Sequence, residues 1–185
     1  MYLEHIVYST AIAIIVGLVA QRFTGRDHSW VIIASAYAPD IDVVGSVGLS
    51  LLFGISLPYA IQATFPLHSL LHTLAALIVY AAIIAILLRP YKIPILEGAC
   101  YGAIGYGSHL LEDVLVYTTG YPVLWPISSR DIGFGIFGPY HRDFFGIANT
   151  YVLLIGIALV LTALTVRIAY EGTTWIKVLF SFHGE

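Results

Sequence analysis

The chain has a single cysteine, Cys100, among 185 residues. An internal disulfide is therefore impossible, and any metal site must rely on nitrogen and oxygen donors instead of a thiolate set. Charge is also scarce: Asp, Glu, Lys and Arg make up 10% of the chain, with eight basic residues against eleven acidic ones. Soluble proteins carry roughly 25%. So few basic residues, with a net charge of −3, leave no electrostatic footprint for nucleic acid. Polar linkers, internal repeats and low-complexity tracts are missing too, so residues 1–185 are expected to form one membrane-embedded domain. Glu4 and His5 stand ahead of the first apolar run, where a secretory signal would carry a basic region. The first helix is accordingly expected to stay with the protein.

What the chain has in excess is apolar surface: 59% of its residues are hydrophobic, and its mean hydropathy is +0.89. These values describe an integral membrane protein. Apolar segments lie at about 5–22, 66–88, 94–117 and 146–168, with broken ones at about 29–38 and 43–57. A helix needs ~20 such residues to span a bilayer. The expected fold is an all-α, polytopic helical bundle with about four to five transmembrane helices. The 29–57 region holds Asp40, Asp42, Gly45, Gly48 and Gly54, and reads as a broken or re-entrant element. Trp175 to Phe182 is too short to span and is expected at the interface.

Cytoplasmic loops are enriched in Lys and Arg. If 29–57 crosses once, Arg22, Arg26, Arg89, Lys92, Arg167 and Lys177 share one face, leaving Arg130 and Arg142 on the other. His5, His68, His72, His109 and Asp113 then fall at the non-cytoplasmic end, and Asp40 and Asp42 join them if 27–39 crosses steeply.

Those residues belong to three polar couples set in or against apolar stretches: Pro39 to Asp42, His68 to His72, and His109 to Asp113. Ionisable groups are costly in hydrocarbon and mark function there. Together with His5 they supply the donor types of a metal site. Residues four apart on a helix lie one above the other, so His68 with His72, and His109 with Asp113, can each present two ligands to one side. Gly98, Gly102 and Gly105 run along the same stripe and would admit a close neighbour below the ligands. Glu112 points about 100° away from Asp113, suiting a supporting or solvent-facing role. Taken alone, His5 reads as an interfacial histidine and Asp40 as a helix cap; their shared membrane face favours the metal reading. His28 and His183 read as surface residues.

Seven candidate ligands, His5, Asp40, Asp42, His68, His72, His109 and Asp113, exceed the four positions of a tetrahedral site. The surplus suits either two cations or one cation with acid–base groups; two, zinc or manganese, sharing an aspartate bridge from Asp42 or Asp113 are expected, and those two aspartates are the candidate catalytic carboxylates.

The same residues resemble a family, the YdjM-type membrane-bound metal-dependent hydrolases. Its pattern has an N-terminal His, a Pro-Asp-x-Asp turn, a paired-histidine segment, a His-Leu-Leu-x-Asp helix, then Thr-Gly and Leu-Trp-Pro. Here these are His5, Pro39 to Asp42, His68 through His72-Thr73-Leu74, His109 through Asp113, Thr119-Gly120 and Leu124-Trp125-Pro126. The resemblance covers residues 1 to about 126, with Ser69 where the family usually has Arg and a spacing to His72 one residue shorter. It implies a membrane hydrolase using divalent metal. A more distant similarity to zinc-dependent phospholipase C and P1-type nucleases implies phosphodiester chemistry.

Residues 118–145 are rich in Gly, Pro and aromatics and lack a helical period. Following Asp113 directly, this stretch is expected to cover the site, with Arg142 and His141 as substrate-binding residues: Arg142 pairing with phosphate, His141 as a further ligand or proton donor. An interfacial aromatic belt with snorkelling arginines is the alternative for this loop. The function expected overall is hydrolysis of a phosphoester or related bond in a lipid or amphiphile by a metal-activated water, in a prokaryotic cell membrane. The rival is a metal-ion or proton transporter, which requires ligands distributed through the membrane depth.

Overall fold

A computed structural model describes residues 3–116, 120–136 and 149–175. Among the described residues seven α-helices follow one another: α1 (Leu3–Thr24), α2 (Trp30–Ser35), α3 (Ile41–Phe53), α4 (Leu57–Leu71), α5 (Leu74–Leu87), α6 (Ile95–Val116) and α7 (Thr150–Glu171), with a 3-10 turn at Arg89–Tyr91. Among the described residues there is no strand, only an isolated bridge between Tyr121 and Ile132.

Helices α1 and α7, of 22 residues each, are long and apolar enough to cross a membrane. Their rise of about 33 Å exceeds a hydrocarbon core of ~30 Å. Helix α6 has the same length but carries Glu97 near one end and Glu112 and Asp113 near the other. Large apolar side chains such as Val19, Ile78, Ile86, Leu154 and Leu161 stand exposed on the outer faces. So much outward apolar surface suits contact with hydrocarbon and would be a liability in water.

Helices α1 and α7 run side by side in the same direction. Glu4 accepts a hydrogen bond from the backbone N–H of Asn149, and Arg167 reaches Asp27 just past the far end of α1. Helices α5 and α6 form an antiparallel pair joined by the 3-10 turn, and α2 lies against both α6 and α1. The glycine stripe of α6 serves two neighbours. A Cβ at Gly98 or Gly102 would meet α5 at Ala85 or Ile84, while one at Gly105 would press on the carbonyl of Ile32 and the side chain of Ser35 in α2.

Helices α3 and α4 make a hairpin that packs chiefly on itself. Gly54, with φ of 63°, ends α3 in the left-handed region that glycine adopts without strain. Ser46 and Thr64 hydroxyls meet across the pair at 2.7 Å. The interruption expected over 29–57 is thus the short α2, a turn at 36–40, and α3.

One expected helix is corrected. The 66–88 stretch is not continuous, because α4 ends at Leu71 and α5 starts at Leu74. Thr73 adopts an extended conformation and its Oγ1 accepts from the Ala76 N–H, capping α5, while the Leu74 N–H donates to the Val123 carbonyl. A capped start anchored by a neighbouring loop outcompetes continuation of the apolar helix. Helix α4 also begins earlier than 66, at Leu57 with Pro58 in its first turn, a position where a missing N–H costs nothing.

The two ends of the bundle differ in chemistry. Where α1 ends and α6 begins, Arg167 is buried between Asp27 at 2.6 Å and Glu171 at 2.9 Å, with its guanidinium 4.4 Å from the Trp175 ring centre. At the same end His28 sits 2.7 Å from Glu97, which also faces Arg26. The opposite end gathers His5, His68, His72 and His109.

Candidate metal centre

Four chain segments deliver donors to one point. His5 lies in the first turn of α1, Asp40 and Asp42 at the start of α3, His68 in the last turn of α4, His72 at its C-terminal boundary, and His109 and Asp113 one turn apart on α6. Asp40 occupies the N-cap position of α3, yet its side chain makes no capping bond. Its Oδ1 instead lies 3.9 Å from His68 Nδ1, 3.7 Å from His72 Nε2 and 3.8 Å from His109 Nε2. Asp113 faces the same space from α6, with Oδ2 3.3 Å from His72 Nε2 and 3.4 Å from His109 Nε2, and Oδ1 3.8 Å from His5 Nε2.

The rings are held from behind. His5 Nδ1 lies 2.7 Å from Glu112 Oε2, His109 Nδ1 lies 2.8 Å from the Ala36 carbonyl, and His72 Nδ1 lies 2.8 Å from the His68 carbonyl. Each of these partners accepts, so each Nδ1 carries a hydrogen and each Nε2 is left turned toward the centre, where a neutral ring would offer a lone pair. Metal-binding histidines are oriented in this way. The Nε2 atoms of His72 and His109 are only 3.2 Å apart. A contact of that length needs a proton on one of the two nitrogens or a cation beside both.

Three donor groupings are close enough to share a cation: His5 with Asp40 and His109; Asp40 with His68 and His72; and His72 with His109 and Asp113. Each Nε2 can serve only one ion, so the first two groupings are compatible with each other, joined by Asp40. The donor set, imidazole and carboxylate without thiolate, fits a divalent metal ion.

Of the residues expected from sequence, His5, Asp40, His68, His72, His109 and Asp113 come together here. Asp42 lies beside the cluster: its Oδ1 is 3.1 Å from His68 Nδ1, and it belongs to none of the three groupings. Asp40 is the carboxylate common to two of the groupings, Asp113 enters one, and Asp42, which the sequence offered with Asp113 as a bridge, enters none. His141 and Arg142, with residues 118, 119 and 137–145 of the loop expected to cover the site, lie outside the described residues, as do His183 and the segment beyond Trp175. The described part, 120–136, folds onto the end of α6 through Phe134 N–H to Val114 O and Ile136 N–H to Leu115 O.

Two contributors were harder to read. Glu112 is buried, and its contact with His5 fills the supporting role that helical spacing allowed for it. Tyr121 carried no signal beyond its nearness to Gly120; its hydroxyl lies 3.2 Å from His68 Nε2 and its ring stacks on His72 at 4.3 Å. His28, read as a surface residue, is partly buried against Glu97.

An imidazole and carboxylate cluster at one end of a membrane-type bundle narrows the kinship. The model of the YdjM inner membrane protein family matches residues 1–182. The chain belongs to this family. No curated protein and no solved structure matches it. Membership in YdjM extends through 127–182, which sequence motifs alone had left unmatched, so α7 is part of the family's shared architecture. It also agrees with the two apolar helices in assigning the bundle to a membrane.

Proposed function

We propose that this protein is a membrane-bound, metal-dependent hydrolase that cleaves a phosphoester or related bond in a lipid or amphiphile. The observation that carries the reading is the pair of inward Nε2 atoms of His72 and His109, 3.2 Å apart and flanked by Asp40 and Asp113. Two cations are proposed, one held by His5 and His109, the other by His68 and His72, with Asp40 shared between them. Such ions would lower the pKa of a shared water and offset the charge of a phosphoester.

The chain's own groups supply the rest. Glu112 and the carbonyls of Ala36 and His68 fix the ring directions, and Asp42 steadies His68. Asp113, within reach of three of the imidazoles, is the carboxylate best placed to accept a proton at the centre. Burial of the cluster excludes bulk water from the reacting groups.

The proposed topology has about four to five spans, with α2 and the start of α3 as the re-entrant part and the cluster at the non-cytoplasmic face. It is supported by the location of Arg22, Arg26, Arg89, Lys92 and Arg167 toward the end opposite the histidines. The concentration of donors at one end favours a closed reaction centre over a conduction path, which would need ligands along the whole depth.

The test is metal analysis of purified protein, followed by incubation of the zinc- and manganese-loaded forms with phospholipids and a water-soluble phosphodiester. Release of a phosphate-bearing product, lost in His72→Ala and His109→Ala together with bound metal, is expected. Metal binding without product, combined with ion uptake into liposomes, would overturn the enzyme reading in favour of transport.

A further inference from the structure

Beside the cluster, and back to back with it, lies an apolar cavity of about 550 Å³ between α2, α5 and the end of α4. The volume falls within the ~300–1,000 Å³ usual for ligand pockets. Neighbouring residues divide between the two sites. Leu71 and Thr73 line the cavity while His72, between them, reaches the donors; Tyr37 and Ala38 line it while Asp40 turns the other way. Tyr106 closes the inner wall one helical turn from His109.

The cavity is apolar although hydroxyl-bearing residues line it, because their polar atoms are committed elsewhere. The Tyr106 hydroxyl donates to the Leu71 carbonyl, Tyr80 donates to Ser35 Oγ at 3.1 Å, and Thr73 Oγ1 is bonded to Leu70 and Ala76. Its outer rim, Ile41, Val79 and Ile83, is exposed on the face where the bundle would meet hydrocarbon. From Thr73, level with the cluster, to Ile83 the α5 wall descends about 15 Å. That is about half the ~30 Å hydrocarbon core, the depth of one leaflet.

We infer that this cavity seats one hydrocarbon chain of the substrate, entering sideways from the leaflet, while the anionic head of the same molecule lies at the His/Asp cluster. The inference rests on the hydrolase reading for the chemistry of the head. It adds that the substrate is an amphiphile recognised by its chain, and that chain length sets selectivity. A slot walled by Ala34, Ala38 and Ala76 accepts a slender linear chain because these positions present only methyl groups.

The experiment uses the full-length protein in lipid nanodiscs and a single-chain alkyl phosphate bearing a diazirine at the chain terminus. After irradiation, mass spectrometry locates the labelled residues. Labelling concentrated on Val79, Tyr80 and Ile83, and reduced at least fivefold in Ala76→Phe while the outward face of α7 at Leu154 and Leu161 labels as before, is the expected result. Ala34→Phe fills the same space from α2 and guards against misfolding of the first variant. Labelling spread evenly over all outward faces, unchanged in both variants, would overturn the slot. Because labelling needs no turnover, the two readings fail separately. Cavity labelling without hydrolysis keeps the chain site and removes the enzyme, whereas hydrolysis of a soluble phosphodiester with even labelling does the reverse.

Discussion

His5, His72 and His109 share one arrangement: an acceptor behind Nδ1 and an Nε2 aimed at a common centre. Only one of these acceptors is a side chain, which makes it separable by mutation. Glu112→Ala should weaken metal binding about 10–100-fold without loss of helix content, because His5 would keep its place but not its tautomer or ring direction. Glu112→Gln, which retains an acceptor oxygen, should recover much of the affinity; competition titration against a chelating dye measures both. At this scale the sequence was informative where helical spacing applies, as for His109, Glu112 and Asp113 on α6. It was less so at turns. Asp40 and Asp42 are two residues apart, and nothing in their types tells which faces the imidazoles and which stands beside His68. Backbone geometry at 36–40 makes that choice, and it favours Asp40.

At the scale of elements, close packing around α6 governs where the donors stand. Gly105 admits α2 so near that a Cβ would press on the Ile32 carbonyl, and the Ala36 carbonyl that holds His109 belongs to the same segment. Gly105→Leu should therefore destabilise the fold by about 1–3 kcal/mol and also weaken metal binding. Gly48→Ala in α3, where a Cβ would meet no atom within 4 Å, should leave the thermal midpoint unchanged or raise it, since alanine is the better helix former by about 1 kcal/mol. Thermal unfolding in detergent separates the two. The glycine stripe was legible beforehand because small residues at helical spacing are a packing signature. Its division between α5 and α2 was not, since spacing along one helix does not say how many neighbours it has. The break at His72 and Thr73 is not legible in the sequence for a related reason: apolar residues on both sides of it read as one run, and the bond from Leu74 to Val123 that ends the run comes from a distant loop.

Across the whole molecule, the cluster joins α1, α3, α4 and α6 at one end, while Arg167 ties α7 to Asp27 at the other. A cation bound only by the folded state should stabilise it by about 2.7 kcal/mol at a hundredfold excess over its Kd. Added zinc should thus raise the thermal midpoint and a chelator should lower it, with neither effect in His72→Ala. At the far end, Arg167→Leu leaves Asp27 buried without its partner and should cost about 3–5 kcal/mol without altering the affinity for metal in the protein that remains folded. Independence of the two ends is the checkable point: a loss of zinc affinity in Arg167→Leu at low temperature would mean that they are coupled.

The amino-acid sequence by itself determined that this is a helical membrane-type protein and which imidazoles and carboxylates are set in its apolar stretches, because hydrophobicity and helical period are local properties. Only the tertiary structure decided which carboxylates face the imidazoles, which acceptor stands behind each ring, and that an apolar cavity lies against the cluster. Those depend on distances between segments far apart along the chain, and such distances are set by packing, which no local pattern encodes.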